Sequence, residues 1–169
     1  MNLINRLTLS IVLLAAAPLA LADSATLTIT GRVLPGTCTL ADAQISLDPV
    51  KASDLTPGQD SQIKAGALEF TGCVGVSKAV LSFAGTAADG DAERWKNTAA
   101  ADAADGVSIS LLSGTTGNTY LKDGDTGIDV PVTGATARYD LRAAYHAPTG
   151  SSLSAGEVST EIVVTADYE

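Results

Sequence analysis

The sequence has one histidine, one tryptophan, two cysteines and two phenylalanines, and aromatic residues make up only 4% of its 169 positions. One histidine leaves little for a Ser–His–Asp arrangement, and no Gly-x-Ser-x-Gly turn is present to expose a nucleophile. Two cysteines fall short of the four ligands of a structural zinc site, and His146 is the sole imidazole that could join them. Basic residues are scarce as well: 10 Lys and Arg against 19 Asp and Glu give a formal net charge of −9. Without a Lys/Arg cluster the chain has nothing with which to grip phosphates, which argues against nucleic acid and against an anionic membrane surface. Amphipathic helical periods are missing too, and beyond the N-terminus the apolar residues come in groups the length of one strand.

What is present begins with a positive charge at Arg6, an apolar run over residues 7–17 too short to span a bilayer, and a small-x-small cleavage site at Ala20, Leu21 and Ala22. This reads as a secretory signal peptide over residues 1–22, leaving an exported chain that starts at Asp23 and holds one domain. Export implies a compartment in which disulfides persist, so Cys38 and Cys73 are expected to pair. Closing a loop of that size contributes roughly 3–4 kcal/mol in the chain-entropy model. Two free thiols, or half of a metal site with His146, are the alternatives.

Residues 25–33 organise the rest. Ala25, Leu27, Ile29, Gly31 and Val33 share one parity, and Thr26, Thr28, Thr30 and Arg32 the other, the two-residue period of a strand with one buried face. Gly31 stands on the apolar parity, where a missing side chain lets a neighbouring backbone come close or marks a bulge. Short strands are then predicted over 43–47 and 67–72, separated by a loop carrying Pro49, Pro57 and Gly58. Residues 78–84 are apolar on both parities and read as a central strand. Residues 87–105 read as a long excursion holding a partly exposed Trp95. Further strands are expected over 107–112, 119–122 (a hairpin partner), 128–132, weakened by Pro131, and 137–146. The last runs over 157–168, with Ile162, Val164, Ala166 and Tyr168 on one parity. Strands at this spacing, divided by Gly, Asp and Pro, point to an all-β antiparallel sandwich rather than βαβ units.

Three local patterns invite chemistry and each has a plainer reading. Ser61 and Lys64 match Ser-x-x-Lys without the companion motifs of that enzyme class. Asp123, Gly124 and Asp125 resemble the start of a calcium loop, yet Gly127 stands at its fifth position and Gly134 where the twelfth needs Glu. A solvated turn suits them better. Arg94 and Trp95 could form a contact patch, but a single aromatic of this kind usually packs against its own loop.

Five features together resemble the pilin subunits of chaperone–usher fimbriae, the family of type 1 and P pili. They are the signal peptide, the alternating segment with Gly31 seven residues before Cys38, the Cys38 and Cys73 pair, Gly156 fourteenth from the end, and Tyr168 as the penultimate residue of an alternating strand. The resemblance implies an incomplete immunoglobulin-like antiparallel β-sandwich, over residues 35–169, whose open groove is completed by a donor strand from another chain. It assigns residues 23–34 as the donor-strand extension, with Ala25, Leu27, Ile29, Gly31 and Val33 entering a neighbour's groove. Gly156, Ile162, Val164, Ala166 and Tyr168 would border this chain's own groove and meet the chaperone. The implied partners are a periplasmic pilus chaperone, an outer-membrane usher and neighbouring pilin subunits. The implied role is structural, supports adhesion, uses no cofactor or metal and ends at the cell-surface fimbrium after passage through the periplasm. Full burial of Leu27, Ile29 and Val33 offers about 5–9 kcal/mol as an upper bound. A self-complete secreted β-sandwich that binds a ligand is the alternative, with an exported enzyme a distant third.

Overall fold

The computed structural model describes residues 25–169, so the signal-peptide reading of residues 1–22 and the start of the extension lie outside the described residues. The chain divides into a segment that ends at Val33 and a body, Leu34–Glu169. In the body, β1 (Thr37–Leu40), β2 (Asp60–Val74), β8 (Ala137–His146), β6 (Ser108–Ser113), β5 (Asp91–Lys96) and β4 (Ala87–Ala88) form one sheet in that order. β7 (Ile128–Pro131), β3 (Lys78–Ala84) and β9 (Val163–Tyr168) form the second. Every pairing of named strands is antiparallel. The only helical piece among the described residues is a short 3-10 turn at Ala52–Asp54.

The two sheets enclose one core because each strand sorts its apolar residues inward. Leu68 and Phe70 of β2, Ile109 and Leu111 of β6, and Leu141 and Ala143 of β8 face Ala79, Leu81 and Phe83 of β3. As expected, β3 is central, paired with β7 on one side and β9 on the other. Cys38 and Cys73 form a disulfide that ties β1 to the end of β2 at the edge of the larger sheet.

Several boundaries differ from the expectation, each for a local reason. β2 starts at Asp60, not 67, because a bulge between Ser61 and Lys64, with Gln62 at a φ of 55°, breaks the alternation that marks a strand. Residues 87–105 are no structureless excursion. β4 and β5 form a tight pair that turns at Gly90, whose φ is 77°. Trp95 is fully buried rather than partly exposed, paired with Ile109, and its indole N–H donates to the Leu121 carbonyl at 2.8 Å. Arg94 is buried as well, so the two form no exposed patch. Residues 43–47 form no strand: Ile45 and Leu47 pack on the core, but their backbone has no ladder partner. Residues 119–122 contribute a single bridge, Leu112 with Tyr120. The last strand is shorter than expected, with Glu157 joined only by a parallel bridge to Ala103.

Gly85 marks a close approach between β3 and the buried tryptophan. A Cβ there would sit 2.8 Å from Trp95 Cζ3 and 3.0 Å from the Glu161 carbonyl oxygen. Gly85→Ala is therefore expected to destabilise the body by about 1–3 kcal/mol through overpacking, and Trp95→Ala by about 3–5 kcal/mol through loss of its core contacts. Urea unfolding of each variant checks both.

Candidate functional site

β9 is paired on one side only. Lys78 and Glu169 exchange both backbone hydrogen bonds, at 3.1 and 3.0 Å, so the odd-numbered residues of β9 turn their N–H and C=O groups toward β3. Those of Val164, Ala166 and Tyr168 consequently point the other way, to an edge that no strand of the described residues occupies. The side chains follow the same alternation. Ile162, Val164, Ala166 and Tyr168 pack on the core, while Val163, Thr165 and Asp167 are exposed.

Beside that edge runs an open groove of about 1220 Å³. β9 forms one wall and the end of β1 with the unladdered residues 42–50 the other, with Leu68, Phe83, Ile109, Leu111, Leu141 and Ala143 at its base. One end is closed where the Tyr168 hydroxyl donates to the Cys38 carbonyl at 3.2 Å. Tyr145 and Glu157 also line the groove. Burial, then the negative charges of Asp48 and Glu157, hold the Tyr145 phenol above its ordinary value of 10.0. A trough with an apolar base, a partly polar rim and unpaired backbone groups along one edge is the shape that one more strand would fill.

Gly156 does not itself line β9's pairing edge as a strand residue. It lies where the chain crosses residues 102–104, and a Cβ would fall on the Asp102 carbonyl oxygen, so the position requires glycine. The other assigned set is not gathered into any strand or core of this chain. Leu27, Ile29 and Val33 are 83%, 85% and 97% exposed, Ala25 is exposed too, and a Cβ on Gly31 would meet nothing within 4 Å. Residues 25–33 carry no ladder within the described residues.

A second constellation went unrecognised in the sequence. Asp60, at the start of β2, accepts from Ser110 Oγ at 2.6 Å and Tyr120 Oη at 2.8 Å, lies 2.8 Å from His146 Nδ1, and faces Arg94 Nε at 3.7 Å. The Arg94 guanidinium stacks 3.6 Å over the Tyr120 ring. Serine and imidazole both turn to the carboxylate and not to each other, so no base is poised on a nucleophile. The cluster instead binds β2, β5, β6 and β8 together through one buried charge. Nothing in the alternation marks Asp60, since its partners come from four distant stretches.

The remaining candidates are spent on local structure. Lys64 Nζ pairs with Asp48 at 2.9 Å. Asp123 accepts from the Gly85 N–H and Asp125 from the Lys122 N–H, each at 2.9 Å, so the first ties the turn to the end of β3 and the second shapes the turn itself. No group of three or more potential metal ligands occurs among the described residues.

The architecture is thus an antiparallel two-sheet sandwich with an open strand position. Residues 27–169 match the family model described as fimbrial protein, and the chain belongs to that family. A search of curated proteins finds no sequence match. Among solved structures the fold resembles the P pilus rod subunit PapA, with a TM-score of 0.64 and 18% identity over 78% of this chain and 99% of that one. A chaperone–usher pilus structure reported for the basis of rod uncoiling matches at 0.65 and 16% identity, covering 90% of this chain and all of that one. The CupB6 tip adhesin of Pseudomonas aeruginosa matches at 0.63 and 19% identity over 78% of this chain but only 38% of the adhesin.

Burial pushes the Asp60 carboxyl up, but the bonds from Ser110, Tyr120 and His146 and the charge of Arg94 outweigh it and leave it below its ordinary value of 3.8. A depressed carboxyl stabilises the fold above its unfolded value, and that contribution is lost as the pH falls through the lower folded one. Asp60→Asn should therefore cost about 3 kcal/mol at neutral pH, and the gap to the parent chain should narrow below pH 4. Urea titrations across that range check the sign.

Proposed function

We propose that this fimbrial subunit polymerises by donor-strand exchange, its groove taking an extended segment from a neighbouring subunit and its own residues 23–34 entering the next. The observation that carries the reading is the free edge of β9 above an open groove whose base is apolar. The exposed alternating segment of the same chain supports it from the other side. An unfilled groove of this kind is an aggregation hazard. We therefore assign it a periplasmic chaperone that lends a strand until an outer-membrane usher directs exchange, a mode of strand addition established for pilins.

On this reading residues 1–22 are the export signal, residues 35–169 the groove-bearing domain, and the product a surface fimbrium that supports adhesion. The role is mechanical, with no catalytic step. Ile162, Val164, Ala166 and Tyr168 present the wall that both chaperone and neighbour use, while Gly156 shapes the approach to it.

In SDS gels without boiling, the exported chain should run as a ladder that collapses to monomer on heating. Ile29→Asp should abolish the ladder, since a carboxylate carried into the groove would be buried without a partner. The same variant should leave the unfolding free energy of the isolated subunit within about 0.5 kcal/mol of the parent, because Ile29 is exposed in its own chain. Monomer before boiling in the parent chain, or unfolding caused by Ile29→Asp, would refute the reading.

A further inference from the structure

We propose that Asn97 is the positioning residue of the groove: its side-chain amide fastens residues 157–159 to the end of β5 and so fixes the wall that leads into β9. This rests on the strand-addition reading above and adds the group that holds the groove in shape where no ladder does.

The chain changes sheets on its way into β9. Glu157 and Ser159 are bonded to the stretch that follows β5 of the larger sheet, whereas Val163–Tyr168 pairs with β3 of the smaller one. Between them, residues 160–162 make no backbone hydrogen bond among the described residues. Thr160, Glu161 and Ile162 nevertheless line the groove. Their placement is therefore set by what grips the chain at either end, the ladder from Val163 onward and Asn97 before it.

The Asn97 amide is used to capacity. Nδ2 donates to the Ala104 carbonyl at 3.0 Å and to the Glu157 carbonyl at 2.9 Å, while Oδ1 accepts from the Ala99 N–H at 3.2 Å and the Ser159 N–H at 3.0 Å. Two N–H donors and one oxygen with two lone pairs are all that such a side chain has. Carbonyls on one side and N–H groups on the other also leave a single orientation of the amide that satisfies them.

The bonds to Ala99 and Ala104 close the loop between them, and those to Glu157 and Ser159 tie the crossing chain to that loop. Packing does not do the same work: residues 98–103 are Thr, three Ala, Asp and Ala, nearly all exposed, with Asp102 at a φ of 47°. Backbone bonds do join the two stretches, from the Thr98 N–H to the Ser159 carbonyl at 2.7 Å and from the Ala104 N–H to the Glu157 carbonyl at 2.9 Å. Both depend on the loop keeping the shape that the amide gives it. Asn97 itself does not line the groove, so it acts through the residues it holds.

Asn97→Ala in the full exported chain removes the whole set. A wall in place only part of the time accepts a strand only in that fraction of encounters, so the heat-sensitive ladder should grow about three- to tenfold more slowly than in the parent. Asp60→Asn is the comparison, since it weakens the body without touching the groove lining, and its ladder should grow at the parent's rate. Hydrogen exchange is read in the assembly-blocked Ile29→Asp chain, with and without Asn97→Ala. The Ser159 and Ala99 amides should exchange about tenfold faster without the asparagine, while Val163, Thr165 and Asp167, laddered to β3, keep their protection. Unchanged exchange at Ser159 would overturn the anchor. Faster exchange with an unchanged ladder rate, or equal slowing by Asp60→Asn, would overturn its link to the groove. Global unfolding by Asn97→Ala would overturn it too, since a positioning residue acts on the segment and not on the body. Absence of a ladder from the unsubstituted chain would instead remove the reading beneath it, and the exchange comparison would still decide whether Asn97 holds the wall.

Discussion

A strand bonded along one edge only sets the terms for the rest of this molecule. β9 carries its apolar residues into the core like any inner strand, yet it stands at the margin of its sheet. Natural edge strands are usually short, charged or covered, so that they do not pair with strangers. β9 is short, and Asp167 and Glu169 stand on its outer face or at the terminus, while the groove beside it combines an apolar base with polar lining residues, Glu157 and Glu161 among them. That arrangement protects the outer face while keeping the pairing edge available, as a surface meant to be joined by a strand requires.

A body with an unfilled groove must hold its shape by other means. The Cys38–Cys73 disulfide fixes β1 at the margin of the larger sheet, next to the groove wall that has no ladder of its own. Across the same sheet, Asp60 gathers groups from β6, β8 and the Tyr120 segment, with Arg94 of β5 facing it. A buried carboxylate costs several kcal/mol to desolvate, and it is tolerated here because three hydrogen bonds and a cation meet it. The disulfide thus sits beside the groove, whereas no member of the Asp60 cluster lines it.

The sequence made legible what alternation and punctuation record. Residues 78–84 read as a central strand because both parities are apolar, and the long alternation of 137–146 became β8. Where alternation is interrupted, the reading failed. The bulge at Gln62 concealed nearly the first half of β2, and β5, written Asp-Ala-Glu-Arg-Trp-Lys, looks like a solvated loop although it carries the fully buried Trp95. Residues 43–47 show the opposite failure: Ile45 and Leu47 satisfy the pattern by packing, while the backbone between them stays unpaired. The groove residues of β9 were legible because they alternate. The Asp60 cluster was not, since its members meet only when five separate stretches are folded together.

Two glycines stand in opposite surroundings. Gly156 answers to its own chain, where the backbone of residues 102–104 occupies the space a side chain would take. Gly31 answers to nothing within 4 Å, and in an exposed extended segment glycine costs conformational entropy without return. Leu27, Ile29 and Val33 pose the same puzzle in reverse, as large apolar side chains held in water. Each position is unfavourable for the isolated chain, and all share one parity of a single nine-residue stretch.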